Sequence, residues 1–401
     1  MRLSVAAAAA VLLAPVAHAT SLGLPPPPPP APEAPAPVLA PAYQIQSVAL
    51  RYTHFEQYGL GFQSAAGPPS GPGSERVTVE EPSTEVIATL GDRLVERVAV
   101  SVDVVTAASP NHKLYGLPVG TAVDAISSPS RINEAEQIDA DSIYSYRRDT
   151  KIGLHADYHQ EEPLESWGLG ATFARSFADD NAVLSASLYQ LVDWFDHFNL
   201  NGSRYGRDVR STSNGNLGLS QLLSPSTIAS IGYGFTLQQG TLVNTWSSVP
   251  LTNNTRGTEI VPRLRLRHAL EGRLGQWLPW EGAVRLAARF YADSWGSVAG
   301  TVEGTLSQRI DRLTLEVGGR YHWQTAVDFF GTAFDPAASG FRTADSDLDS
   351  LSAYAVSGGL RWDQPIGILG HQIYVAFTVE RYVRSNDLSV DLVSGALGWR
   401  P

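Results

Sequence analysis

The chain has 401 residues, a net charge of −11, an isoelectric point near 5.3 and no cysteine. The acidic balance excludes general nucleic-acid binding, which needs a basic face. The missing thiols exclude disulfides, thiolate metal centres and a lipidated N-terminal cysteine.

Residues 1–19 carry Arg2, an apolar stretch from Val5 to Val16 and the small-residue box Ala17-His18-Ala19. They read as a secretory signal peptide cut after Ala19. Residues 20–44 contain the unbroken run Pro25 to Pro30. Such a segment cannot pack a core and favours extended polyproline II, so it reads as a disordered linker. A docking segment for a partner is the other reading. Beyond it, no run of about 18 uncharged apolar residues offers a transmembrane helix, which leaves alternating barrel strands as a way to cross a membrane.

Residues 45–401 read as strand after strand. VALRYTHF (48–55) opens the series. RVTVEEPSTEVIATL (76–90) and LVERVAVSVDVV (94–105) follow, joined by a tight turn at Gly91-Asp92. KIGLHADYH (151–159) sets Ile152, Leu154, Ala156 and Tyr158 against Lys151, His155, Asp157 and His159. ESWGLGATFARSF (165–177) keeps Trp167, Leu169, Ala171 and Phe173 in register. NAVLSASLYQLVDWF (181–195) fits a strand or a short helix. LGLSQLL (217–223) meets IASIGYGFTL (228–237), and PRLRLRHALEGRL (262–274) meets GAVRLAARFYADSW (282–295) across GQWLPWE. VAGTVEGTLSQ (298–308), LTLEVGGRYHWQ (313–324), LSAYAVSGGLRW (351–362), IYVAFTVERYV (373–383) and VDLVSGALGW (390–399) complete the chain.

Many of these cores run about 9–12 residues, the length a tilted strand needs to cross a bilayer. Short links partly alternate with long ones, as outer-membrane barrels pair tight periplasmic turns with longer outer loops. An even count requires one more strand in the link 106–142, where VDAISSPSR (123–131) echoes VDVVTAASP (102–110). The fold class is therefore all-β: a transmembrane antiparallel up-and-down β-barrel of about 16 strands, with about 14 as the alternative.

The alternation in 282–295 puts Val284, Leu286, Ala288 and Phe290 on one face and Arg285, Arg289 and Tyr291 on the other. In a membrane barrel the apolar face meets lipid and the arginines enter the lumen. Trp277, Trp280, Trp295, Trp323, Trp362 and Trp399 fall near strand ends and fit interfacial girdles. The lumen-facing charges are Arg263, Arg265, Arg267, Arg285, Arg289, Glu303, Glu316, Arg320 and Glu380. A turn centred near residue 276 sets Arg267 opposite Arg285 and Arg263 opposite Arg289. Like charges so placed destabilise a sheet pair and need acids from elsewhere or a function. Glu303 is roughly opposite Arg285, with Arg320 diagonal to it, and Asp345, Asp347 and Asp349 of the loop 325–350 are further sources. The stripe is either an anion-attracting pore wall or a lattice of ion pairs.

SQLLSPSTIASIGYGF, RLRHALEGRL, RFYADSWGSVAGTVEGTL, RYHWQTAVDFF and TVERYV, with VSVDVVTAASP and TAVDAISSPSR nearer the front, resemble a bacterial family catalogued as domain of unknown function 3570. The resemblance covers most of the chain after about residue 46. It implies an outer-membrane β-barrel with no assigned activity, in a setting beside periplasmic flavin-attachment and redox partners. With no cysteine the chain binds no haem covalently. Barrels of this kind usually end on an aromatic residue, whereas Trp399 here is followed by Arg400 and Pro401.

No nucleophile elbow, zinc-protease motif, P-loop or dinucleotide fingerprint is present. TADSDLDS in the loop 325–350 lacks the glycine and glutamate of a calcium loop. His155 and His159 on one strand stand about 13 Å apart, too far to share a metal. No metal, cofactor or catalytic residue is expected. The expected function is a pore or channel in the outer membrane for small solutes, with anions as a candidate class. The alternative is a non-enzymatic scaffold for a periplasmic redox or flavin-linked partner, reached by the proline-rich arm. Outer-membrane lipid and the barrel-assembly machinery are the other expected partners.

Overall fold

The computed structural model describes residues 43–59, 77–107, 132–161, 164–198, 204–243, 248–253, 255–364, 372–386 and 388–400. The expected signal peptide, nearly all of the proline-rich linker, and VDAISSPSR lie outside the described residues. The strands are β1 (Tyr43–Tyr58), β2 (Val77–Leu90), β3 (Leu94–Ala107), β4 (Ile132–Arg147), β5 (Thr150–Glu161), β6 (Leu164–Phe177), β7 (Ala182–Phe198), β8 (Arg204–Ser224) and β9 (Thr227–Gly240). They continue with β10 (Ser248–Pro250), β11 (Arg256–Thr258), β12 (Leu264–Leu278), β13 (Gly282–Asp293), β14 (Val298–Ile310), β15 (Leu313–Gln324), β16 (Leu351–Gln364), β17 (Gln372–Arg384) and β18 (Ser389–Arg400).

All but β10 and β11 join one closed antiparallel barrel in chain order, and β1 pairs with β18 to seal it. That is the sixteen-stranded solution. The strand that evens the count is β4, which begins inside the link where an extra strand was expected. Its sequence, INEAEQIDADSIYSYR, hides its alternation because Glu134 and Glu136 hold positions where an apolar residue is expected. Residues 182–195 of the segment 181–195 lie in β7, a strand: Leu184 and Leu188 face out, while Ser185, Ser187 and Tyr189 face in.

The outside of the barrel is apolar. Leu169, Val317, Phe290 and Leu286 leave 68, 61, 54 and 50 % of their surface uncovered. Burying a side chain of this size is worth about 1.5–3 kcal/mol. A closed belt of such residues finds that stabilisation only against lipid. Aromatics border the belt. On the short-turn side stand Trp280, Trp362 and Trp399, and on the loop side Trp167, Trp323 and Tyr354, whereas Trp277 pairs with Ala283 on the lumen-facing side of β12–β13. Along β16 the step from Tyr354 to Trp362 is about 27 Å at about 3.4 Å per residue. With a strand tilt of about 40°, that is about 20 Å of belt height. Trp295 departs from this pattern: it is buried at 5 % exposure among loop residues, not in a girdle.

Short turns close one end of the barrel, including Gly91 at φ +62° between β2 and β3. The longer connections gather at the other. There, residues 248–253, 255–263 and 325–350 fold onto each other through bridges Leu251–Phe334 and Ile260–Arg342, with β10–β11 between.

Candidate functional site in the barrel lumen

Alternation sends every second residue of each wall strand into the lumen. On the loop side these inward residues are buried almost all the way round. They include Phe55 and Gln57 on β1, Val77 on β2, Ala135 on β4, Glu161 on β5 and Ser166 on β6. The ring continues with Asp193 and Phe195 on β7, Thr212 on β8, Arg265 on β12 and Ala299 on β14. Ala353 and Ala355 on β16, Tyr382 on β17, and Val390 and Leu392 on β18 complete it. Sixteen strands alone enclose a channel too wide for wall side chains to fill. Burial around most of the circle therefore requires chain inside or across the mouth.

The interlocked loops supply part of that filling. Val261, Trp295 and Val327 form a core against Leu242, Phe329, Phe330 and Leu348. Asp293, whose side chain is fully buried, fastens this core to the wall. It accepts from Arg265 Nε at 2.8 Å, Tyr291 Oη at 2.7 Å, and the backbone N–H groups of Trp295 and Ser297 at 2.9 and 3.0 Å. The Arg265 guanidinium also lies 4.3 Å from the Trp295 ring centre. Arg265 is thus a structural fastener, not a free lumen charge. A second fastener joins Arg384 of β17 to Asp347 at 2.6 Å, while Gln324 of β15 donates to the carbonyls of Asp347 and Asp349 at 2.9 and 2.7 Å. The loop aspartates therefore serve the cap: Asp345 caps a single helical turn, Ser346–Leu348, and Asp347 holds Arg384.

On the short-turn side the inward residues are solvated. Lys151, Thr172, Ser185, Arg273 and Arg285 are exposed there, and Arg51 and Arg289 are exposed near mid-strand. The register of β12 and β13 differs from the expected one. The turn lies at Pro279–Glu281, so Arg289 faces Glu271, Arg267 faces Asp293 and Arg285 faces Gly275. Each pairing thus avoids the opposed arginines. Arg263 precedes β12 and stands exposed at its foot. Glu303 faces Arg320 directly and Ala287 on its other side, while Arg285 faces Thr305. Two ion pairs skip a strand. Arg285 reaches over β14 to Glu316, which also accepts from Ser307 Oγ at 3.0 Å. Arg320 crosses the small residues Ala355 and Ser357 of β16 to Glu380 at 2.9 Å.

The opposite wall carries a feature that the sequence reading missed. On β2 to β7 the inward charges are Glu81, Glu85, Asp103, Asp139, Asp141, Asp157, Glu161 and Asp193, against Arg97 and Lys151. Arg97 bridges Glu85 at 2.7 Å and Asp141 at 2.8 Å. His155 lies between Asp141 at 2.8 Å and Asp157 at 3.1 Å, and Tyr189 Oη donates to Asp157 at 2.8 Å. On β12 to β17 the balance reverses. Arg265, Arg267, Arg273, Arg285, Arg289, Arg309, Arg320, Arg361 and Arg384 outnumber Glu271, Asp293, Glu303, Glu316, Asp363 and Glu380. β8–β9 on one side and β1–β18 on the other separate the two arcs, so they face each other across the lumen. Opposite charges on facing walls create a field across the channel rather than along it. Among the described residues no cluster of acidic and histidine side chains is arranged to hold a metal ion.

Comparison with known proteins gives the following. A bacterial polysaccharide outer membrane secretin is similar at 11 % identity and a TM-score of 0.44, over 88 % of this chain and 98 % of that one. OccK8 (OprE) of Pseudomonas aeruginosa is similar at 7 % identity and 0.45, over 88 % and 98 %. The siderophore receptor PirA of Acinetobacter baumannii is similar at 9 % identity and 0.43, over 84 % of this chain and 52 % of that one. The chain therefore spans about half the length of that receptor. Each is a likeness in barrel shape only. No curated protein matches the sequence. Residues 191–398, just over half of the chain, match a family described as protein of unknown function (DUF3570), and with its sixteen-stranded barrel the chain belongs to that family.

Proposed function

We propose that this barrel is a gated outer-membrane channel for small charged solutes, including anions drawn to the arginine arc. The observation that carries the reading is the division of the lumen. A solvated, charged chamber opens at the short-turn end and stops at a filled, fastened loop end. Short turns face the periplasm in barrels of this kind, which makes the chamber a periplasmic vestibule and the interlocked loops a gate. The acidic arc opposes a simple anion filter, because the two arcs act on a solute from opposite sides. A second reading draws on the same filled end. A barrel that stays closed is a non-enzymatic scaffold, holding a periplasmic partner at its open chamber with the proline-rich arm nearby.

Planar-bilayer conductance of the refolded protein separates the two readings. The wild type is expected to show rare, brief openings, and Asp347→Asn, which loosens the Arg384 fastener, to show frequent ones. Arg285→Ala with Arg289→Ala in that background is expected to shift the reversal potential in a salt gradient toward cations. Silence of both the wild type and Asp347→Asn, with the barrel folded, removes the channel reading and leaves the scaffold.

A further inference from the structure

A cavity of about 420 Å³ lies at the short-turn rim, where the ends of β14, β16, β17 and β18 meet. Arg309, Asp311, Arg312, Asp363, Tyr374 and Arg400 are among its lining residues. Three guanidinium groups and a phenol ring around one hollow are unusual on a chain with a net charge of −11. Of its two carboxylates, one is neutralised and the other turned to solvent. Asp363 takes a two-pronged contact from Arg361, with Nε at 3.0 Å and Nη2 at 2.8 Å. Asp311 reaches Arg312 only at 4.0 Å, and its side chain is 88 % exposed.

The hollow is also built rather than incidental. Tyr374 lies directly across the β17–β18 pair from Gly398, and a Cβ there would overlap its ring. The glycine lets the ring lie flat against the backbone. Arg361 covers that ring at 4.0 Å from its centre, and Arg400 approaches it at 5.7 Å. The aromatic ring thereby orients two cations. Arg309 is held by a bond from its Nε to the Asp311 carbonyl at 3.0 Å. That bond uses one donor and leaves the terminal nitrogens for a ligand. A fork of guanidinium donors matches the oxygens of phosphate in charge and geometry.

We propose that this rim cavity binds a phosphate group. The soluble source is inorganic phosphate or a small phosphate ester in the vestibule, and the other source of the same chemistry is a phospholipid headgroup. Binding is a property of the rim and stands whether or not the barrel conducts.

The test is isothermal titration of the full-length refolded barrel in a phosphate-free non-ionic detergent. Inorganic phosphate is one titrant, and nanodiscs containing phosphatidylglycerol replace the detergent in a second arm. The variants are Arg309→Gln with Arg400→Gln, the milder Gly398→Ala, and Arg204→Gln on the far rim as a control. Heat-shifted migration on a gel confirms that each is folded. Inorganic phosphate binding that weakens at least tenfold in the double arginine variant, less in Gly398→Ala and not in the control, assigns a soluble ligand. Phosphatidylglycerol retained by the wild type and lost by the double variant, with no response to inorganic phosphate, assigns a headgroup. No binding in either arm, or equal binding by the wild type and the double variant, overturns the site.

Discussion

Asp293 and Arg285 stand at opposite ends of one strand, β13, and face the same lumen. Asp293 is sealed from water and saturated by four donors, whereas Arg285 and its partner Glu316 remain about half exposed. The two pairs are alike in chemistry and differ in surroundings. A buried carboxylate whose partner is removed keeps its desolvation cost, while an exposed one returns to water. The loop-side half of the lumen is therefore where charge fixes structure. The short-turn half is where charge is free to act on a solute.

Substitutions that exchange these surroundings give the strongest test. Asp293→Ala strands the Arg265 guanidinium and two backbone N–H groups. It is expected to cost about 3–5 kcal/mol, read as a lower urea midpoint for the refolded barrel. Phe195, 1 % exposed on β7, belongs to the same filled half, and Phe195→Ala is expected to cost about 3–5 kcal/mol. Thr172→Ala on the neighbouring strand, in the solvated half, is expected to stay within about 0.5 kcal/mol. Equal losses at the two sites would end the distinction between the halves.

The next contrast runs through the wall rather than along it. Leu286→Arg places a charge in the lipid belt and is expected to cost about 2–4 kcal/mol. Ala287→Arg, one residue on, enters the lumen between Glu303 on one side and Arg273 on the other, whose opposite charges offset. It is expected to be nearly neutral, so equal thermal shifts on a gel would contradict the assignment of faces. The smallest expected effect is the Arg285–Glu316 coupling. A double-mutant cycle should return about 0.2–1 kcal/mol and shrink with added salt.

The outside of this barrel was legible because lipid imposes one rule on every strand. Leu286, Phe290, Val317 and Leu169 announce it by alternation alone. The lumen was harder to read for three separate reasons. The β12–β13 register turns on Glu281, a non-glycine residue at φ +62°, which no sequence signal marks. Strand patterning alone therefore places the turn too early and sets Arg289 against Arg263 instead of Glu271. The acidic wall was missed largely because Asp139 and Asp141 lie on β4, whose glutamates mask its period. Trp295 fitted a girdle by position, but Asp293 and Arg265 turn it into the loop core. That turn depends on contacts with residues 327–348, which strand patterning does not reach.

The seam between β1 and β18 sets the order of assembly. Thr53 and Ser394, joined by a hydroxyl contact at 3.3 Å, are 341 residues apart in the chain. Every other junction in the wall is local by comparison, and each doubling of the span to be closed adds about 0.6 kcal/mol of entropy loss. Going from a hairpin to the seam is four to five doublings, or about 3 kcal/mol. Until that junction forms, two edge strands leave backbone N–H and C=O groups unpaired in hydrocarbon, which lipid does not tolerate. Closure is therefore both the last step and an all-or-none one: a half-zipped cylinder has no stable place in the membrane, and loss of this single junction would reopen the whole wall.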